Sequence, residues 1–206
     1  MNSSVAPLVT LPVMEHFYTL QGEGAYSGQA AYFVRLGGCD VGCVWCDVKE
    51  SWDAAKHPHF TMDEITQWVT DSGARLCVIT GGEPLMHQLD KLTSALQHKG
   101  VRTHIETSAS SPLSGTWDWI CVSPKKFKAP LPDILAVANE LKIVVFNTTD
   151  FAWAEKHAQN VPASCRLFLQ PEWDKREKML PLIIDYAKQH PRWAISLQTH
   201  KYLNIP

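Results

Sequence analysis

The chain is expected to fold as an α/β protein on a mostly parallel sheet, and two observations predict it. Stretches rich in β-formers alternate with stretches of helical period along most of the 206 residues. Six polar residues, Arg35, Thr80, Glu106, Ser123, Gln170 and Gln198, each fall at or just past the C-terminal end of a predicted strand. In parallel α/β folds that edge is where ligands bind. An open doubly wound sheet and a barrel, full or partial, both satisfy the alternation.

The elements follow in order. Residues 30–36 read as a strand. Residues 61–72 read as a helix, because Thr61 and Glu64 form a capping box and Ile65, Trp68 and Val69 make an apolar stripe. Residues 75–80 are a second strand. A helix over 87–99 carries Leu89, Leu92 and Leu96 on one face and stops at Gly100. Residues 101–106, 117–122, 141–145, 166–170 and 193–198 read as further strands, and 131–140, 150–157 and 174–190 as helices. In the last helix Leu180, Ile183, Ile184 and Ala187 recur at helical spacing.

Length suits one domain, residues 1–206, with 45% hydrophobic and 19% charged residues. A net charge of −2 argues against a nucleic-acid partner, which selects a basic excess. Residues 1–12 lack a basic segment followed by an apolar run, and no stretch approaches the roughly 18 apolar residues of a membrane span. A cytoplasmic location is the expectation, and reducing conditions suit free thiolates.

Six cysteines stand at 39, 43, 46, 77, 121 and 165. The last three fall in or beside strands and read as small core residues. The first three share one loop, Gly37-Gly38-Cys39-Asp40-Val41-Gly42-Cys43-Val44-Trp45-Cys46-Asp47. Clustered thiolates select zinc or an iron–sulfur cluster. Three local cysteines hold three irons of a four-iron cluster and leave one open to a chelating amino and carboxylate group. The competing reading is a zinc-stabilised binding module in which His57 or His59 supplies a fourth ligand.

The C-x-x-x-C-x-x-C spacing after the first strand, followed by Thr80-Gly81-Gly82-Glu83-Pro84 after the next, resembles the signature pair of the radical S-adenosylmethionine (SAM) superfamily. Nearly end to end, LQGEG (20–24), FVRLGGC (33–39), CVWCD (43–47), ITGGEP (79–84), IETS (105–108), VSPK (122–125), LQP (169–171) and QTHKYLNIP (198–206) are similar to the 7-carboxy-7-deazaguanine synthase family. A glycyl-radical activase or a peptide-modifying radical SAM enzyme would share the first pair without LQGEG and QTHKYLNIP.

That resemblance implies a partial TIM-like barrel with a radical SAM core, usually a homodimer. It implies a lyase of queuosine and deazapurine biosynthesis that converts 6-carboxy-5,6,7,8-tetrahydropterin to 7-carboxy-7-deazaguanine with release of ammonia. A 5′-deoxyadenosyl radical made from SAM would take a hydrogen from C6, and SAM would be regenerated. The implied cofactors are a [4Fe-4S] cluster, SAM and Mg2+, and the implied electron donor is a reductase or flavodoxin.

Carried over position by position, Cys39, Cys43 and Cys46 bind the cluster. Trp45, Asp47, Gly82, Glu83, Glu106, Ser123, Pro124, Lys125 and Gln170 are placed at SAM, with Glu83 accepting from its ammonium. Leu20, Gln21, Gly22, Glu23, Arg35, Thr80, His200 and Pro206 are placed at the pterin, with Arg35 taking its carboxylate and Gln21 and Glu23 reading its edge. Pro206 matches a terminal proline whose free carboxylate lines the family's site. Ordinary alternatives stand beside several of these: a surface ion pair for Arg35, a solvated lysine for Lys125 and strand-end hydrogen bonds for Glu106 and Gln170. One departure weakens the Mg2+ expectation. Where the family has a hydroxyl after the Asp, this chain has Val48, which offers no oxygen to an ion that demands oxygen ligands.

Overall fold

The computed structural model describes residues 9–206; most of the stretch on which the absence of a leader was read, 1–8, lies outside the described residues. The strands are β1 (Thr10–Leu20), β2 (Ala30–Leu36), β3 (His59–Thr61), β4 (Leu76–Gly81), β5 (Arg102–Thr107), β6 (Trp119–Val122), β7 (Glu140–Val145), β8 (Arg166–Pro171) and β9 (Trp193–Ile195). The helices are α1 (Met62–Asp71), α2 (Asp90–His98), α3 (Pro132–Leu135), α4 (Thr149–Ala158), α5 (Arg176–Gln189) and α6 (Thr199–Leu203). They make one sheet in the order β3-β1-β2-β4-β5-β6-β7-β8-β9. From β2 to β9 every pairing is parallel, while β1 runs antiparallel to both β2 and β3.

Strand parity decides between the two architectures left open by the sequence. On one face Val34 and Leu36, Cys77 and Ile79, Ile105, Ile120 and Val122, Leu141 and Ile143, and Leu167 and Leu169 join a single apolar core. Ile65 and Val69 of α1, Leu92 and Leu96 of α2, Ala154 and Ala158 of α4 and Met179 and Ile183 of α5 enter that same core. A doubly wound sheet needs helices on both faces. Here the opposite parity carries Phe33, Val78, His104, Glu106, Lys142 and Gln170 instead, a mixed lining suited to the inside of a curled sheet. The fold is therefore a mostly parallel, partial TIM-like barrel that does not close.

The anticipated capping box is complete. The Thr61 hydroxyl accepts from Glu64 N–H at 3.2 Å, and Thr61 N–H donates to the Glu64 carboxylate at 2.8 Å. Thr61→Ala is expected to cost about 1 kcal/mol, read as a lower midpoint in urea unfolding with an unchanged slope.

Three expectations need correction. Strand β1 was not anticipated, because its register with β2 shifts between Val13 and Glu15, which breaks the two-residue period that marks a strand. The helix expected over 131–140 shrinks to Pro132–Leu135, since Asn139 is drawn into the sheet: its N–H donates to Ile120 C=O at 3.0 Å and its Oδ1 accepts from Ile120 N–H at 2.8 Å. The last strand stops at Ile195, and the following residues turn into α6, which the sequence reading did not include.

Candidate active site

The C-terminal edge of the sheet surrounds a cavity of about 260 Å3 open on one side. All six residues expected there arrive at its wall: Arg35 from β2, Thr80 from β4, Glu106 from β5, Ser123 after β6, Gln170 from β8 and Gln198 after β9. Leu20, Gln21, Gly22, Glu23, Cys39, Cys43, Trp45, Cys46, Asp47, Val48, Gly82, Lys125, His200 and Pro206 line it too. Glu83 and Pro124 do not.

The cysteine loop is tied to its surroundings by backbone. Gly38 N–H donates to Ser51 C=O at 2.6 Å, Cys39 N–H to Trp52 C=O at 3.1 Å and Cys46 N–H to Cys43 C=O at 3.2 Å. The two-glycine turn after β4 lies directly against it: Gly82 N–H donates to Leu36 C=O at 3.0 Å and Glu83 N–H to Gly38 C=O at 2.8 Å. A Cβ at Gly82 would sit 2.4 Å from the Gly38 carbonyl oxygen and 2.7 Å from Cys39 Cβ, so only glycine fits. Burial raises the Cys39 thiol and pushes Cys43 to about 11, with the nearby Lys125 ammonium partly offsetting it. The zinc alternative finds no fourth ligand beside the thiols: neither His57 nor His59 lines the cavity that Cys39, Cys43 and Cys46 share. Cys77, Cys121 and Cys165 are buried in the strand layer, as expected of core thiols.

Glu83 occupies a different place from the one expected. It is 1% exposed, and its two oxygens accept from four donors: Leu85 N–H at 3.0 Å, the Thr107 hydroxyl at 2.5 Å, Ser108 N–H at 2.8 Å and the Ser108 hydroxyl at 2.5 Å. A carboxylate offers about four lone-pair sites, so none is left for an outside ammonium. Glu83 staples the glycine turn to the end of β5, and the backbone of Gly81 and Gly82 is what the cavity sees.

Arg35 is ion-paired and also lines the cavity. Its Nε donates to Glu15 at 2.5 Å, while its terminal Nη donors have no partner among the described residues and the side chain lines the cavity. Lys125 donates to the Ser123 hydroxyl at 2.6 Å and lies 5.5 Å from the Trp45 ring centroid, so it is a wall residue rather than a solvated one; burial lowers its pKa. Gln170 Oε1 accepts from the Ser196 hydroxyl at 2.7 Å.

The LQGEG turn and α6 close the opposite wall. Thr199 N–H and hydroxyl both donate to Gly22 C=O at 2.9 Å. A Cβ at Gly22 would strike His200 Nδ1 at 2.1 Å, and one at Gly24, where φ is +61°, would strike Glu140 Oε1 at 1.9 Å. The glycines are there because two side chains pass where their Cβ atoms would be. Burial lowers the His200 pKa, so the ring is neutral near pH 7. Thr19 donates to Pro206 C=O at 3.3 Å, and Lys201 reaches Asp47 at 3.1 Å across the cysteine loop.

Gln21 does not present a free amide. Its Oε1 accepts from Glu23 N–H at 3.0 Å and its Nε2 donates to Glu106 at 2.8 Å. Glu23 accepts from Gln198 at 2.9 Å and pairs with Lys142, which also reaches Glu106 at 3.4 Å. Burial works against the Glu23 charge, but the Lys142 ammonium and hydrogen bond, with Gln198 and His200, outweigh it and hold the carboxyl at about 2. Sequence reasoning missed Lys142. Its signal was Glu140-Leu141-Lys142-Ile143-Val144-Val145, in which two charged residues share one parity of an otherwise apolar strand.

Comparison with known proteins follows the same lines. The profile of the radical SAM superfamily matches residues 33–122. The chain is 53% identical over 196 residues to a 7-carboxy-7-deazaguanine synthase of Flavobacterium psychrophilum, covering 95% of this chain and 93% of that one. It is 47% identical over 197 residues to the protein of the same name from Synechocystis, covering 96% and 94%. Among solved structures it is similar to QueE from Escherichia coli, with a TM-score of 0.84, 32% identity and coverage of 93% of this chain and 95% of that one.

Proposed function

The chain belongs to the 7-carboxy-7-deazaguanine synthase family of radical SAM enzymes, and on that premise we propose how its own residues divide the work. The reaction is the radical ring contraction of 6-carboxy-5,6,7,8-tetrahydropterin to 7-carboxy-7-deazaguanine with loss of ammonia. One observation carries the assignment to this cavity: the three-cysteine loop, the Gly81-Gly82 turn and the Gln21–Glu23 network face each other across it.

The donor set fits an iron–sulfur cluster and SAM. Cys39, Cys43 and Cys46 would hold three irons, and the bare backbone of Gly81 and Gly82 on the cavity wall would offer its peptide groups to the amino acid end of SAM. Ser123, Lys125, Gln170 and Trp45 would flank the rest of SAM, with Asp47 at its margin and Glu106 between SAM and the pterin end, where Gln21 and Lys142 reach it. When bound, cluster and SAM supply a carbon-centred radical that removes a hydrogen atom from the substrate. The protein supplies position and dryness. Arg35 presents its free Nη donors to the pterin carboxylate in the planar fork that suits it. Glu23 keeps a lone pair on each oxygen for the N–H donors of the aminopyrimidinone edge. Thr80 and neutral His200 offer further polar contacts, while Leu20, Gly22 and Pro206 shape the rim.

The residues do not fit a magnesium ion. Val48 lines the cavity with no oxygen on its side chain, and the neighbouring Asp47 carboxylate is engaged by Lys201. The reading also takes a reductase or flavodoxin-type electron donor, a homodimer and a cytoplasmic setting. No helix among the described residues is long and apolar enough to cross a membrane.

The test is anaerobic reconstitution with iron and sulfide, then incubation with SAM, dithionite and the carboxytetrahydropterin, with and without Mg2+. Formation of 7-carboxy-7-deazaguanine supports the reading. SAM cleavage with the pterin untouched leaves a radical SAM enzyme of another specificity. Within this reading Arg35→Ala is expected to raise KM for the pterin roughly 100-fold with a smaller effect on kcat, because a charge-assisted pair to the carboxylate is lost.

A further inference from the structure

We propose that Lys142 is the positioning residue of the pterin end of the cavity, clamping the carboxylates of Glu23 and Glu106 into one fixed acceptor surface. The assignment rests on the function proposed above and names a residue that function did not require.

The geometry carries it. Lys142 sits mid-strand in β7, facing the barrel interior with its side chain 4% exposed. A lysine buried to that depth is costly unless it is paired on every side that water has left. It is paired twice, with Glu23 from the turn after β1 and with Glu106 from the end of β5. Gln21 closes the ring. Its amide nitrogen donates to Glu106 and its amide oxygen accepts from the backbone of Glu23. Three pieces of chain far apart in sequence are thus locked around one ammonium.

Charge gives the ring its use. The groups facing Lys142 are Glu23, Glu106, Glu140 two residues back on the same strand, and Cys121 of β6. Glu140 is spent elsewhere, accepting from Ala25 N–H at 3.2 Å and Trp119 Nε1 at 3.0 Å. His200 faces Glu23 from α6, and Lys125 adds a second, more distant positive charge. Two carboxylates therefore share one close ammonium and keep an excess of acceptor capacity toward the cavity. A ligand edge carrying adjacent N–H donors is the complement of that surface, and the aminopyrimidinone of a pterin is such an edge. Without the ammonium, burial would push Glu23 toward its neutral form, which donates where the ligand also donates.

The sign of the pH effect follows. With Lys142 in place Glu23 is held at about 2, so it stays ionised at working pH and pterin affinity does not fall as pH is lowered toward about 6. In Lys142→Met the folded-state pKa of Glu23 rises, and affinity is lost as pH falls through that new value.

The experiment uses cluster-loaded protein without reductant, so that binding is read apart from turnover. Pterin and SAM are titrated separately by calorimetry at several pH values. Wild-type binding of the pterin, measured first, tests the underlying function; its failure would sink both readings. Given that binding, Lys142→Met is expected to weaken the pterin about 10- to 100-fold, more at about pH 6 than at about pH 8, with cluster content and SAM affinity within about twofold of wild type. Lys142→Arg, which keeps the charge, restores a flat pH profile. The double variant Lys142→Met/Glu23→Gln removes both charges, protects against a single variant that fails to fold, and binds the pterin weakly at every pH with no slope. Equal pterin affinity in Lys142→Met and wild type overturns the assignment. So does a proportionate loss of cluster, SAM and pterin together in both the single and double variants, which would make Lys142 merely structural.

Discussion

Cys43→Ala is expected to yield a colourless protein with turnover at the uncatalysed background. Cys43 is the central thiol of the loop, and no cysteine besides Cys39 and Cys46 lines the cavity to replace it as a ligand. Its neighbours Cys39 and Cys46 would be left to hold a four-iron cluster by two corners. The fold itself should survive, because the loop is anchored by backbone bonds to Ser51 and Trp52 rather than by its sulfurs. Removing one small buried group costs about 1 kcal/mol in the iron-free protein. The check is paired: visible absorbance and iron content after reconstitution, and thermal unfolding of the iron-free chain. A brown, active Cys43→Ala protein would overturn the cluster assignment. A variant that is colourless because it is unfolded would show that the loop is held by its thiols instead.

Glu83→Ala is expected to be the most destabilising single change at the site, and to abolish SAM binding through the fold rather than through a lost contact. Four donors from Leu85, Thr107 and Ser108 would be left facing a void where water has little access. Stripping one partner from a buried, charged hydrogen-bond network costs about 3–5 kcal/mol. For a chain of this length that lowers the unfolding midpoint by roughly 10 °C or more. The discriminating measurement is the midpoint without SAM. A carboxylate whose work was to hold the SAM ammonium would leave that midpoint unchanged, and such a result would return Glu83 to the ligand role first expected of it.

Much of this protein was legible in its sequence because the relevant signals are local. A capping box is four residues long, strand parity needs five or six, and three cysteines in one loop announce a soft metal centre wherever the loop lies. Polar residues at strand ends mark the cavity wall, and Arg35, Thr80, Glu106, Ser123, Gln170 and Gln198 all reach it. Family resemblance supplied the chemistry that spacing alone left between zinc and iron.

What the tertiary structure decided depends on which side chains meet across long stretches of chain. The sequence places Glu83 beside the glycines of the turn, but only the approach of Thr107 and Ser108 from β5 shows its carboxylate to be full. Gly22 and Gly24 read as a flexible turn until His200 and Glu140 are seen in the space their Cβ atoms would take. The bulge in β1 hid a strand because it cancels the very period by which strands are recognised. Lys142 is the extreme case. A buried charge is tolerable only through its partners, and those partners are set by the curl of the sheet, which brings residues 23, 106 and 142 to one point. Periodicity reports whether a residue faces inward, but hydrogen-bond saturation and ion pairing are properties of the assembled cavity.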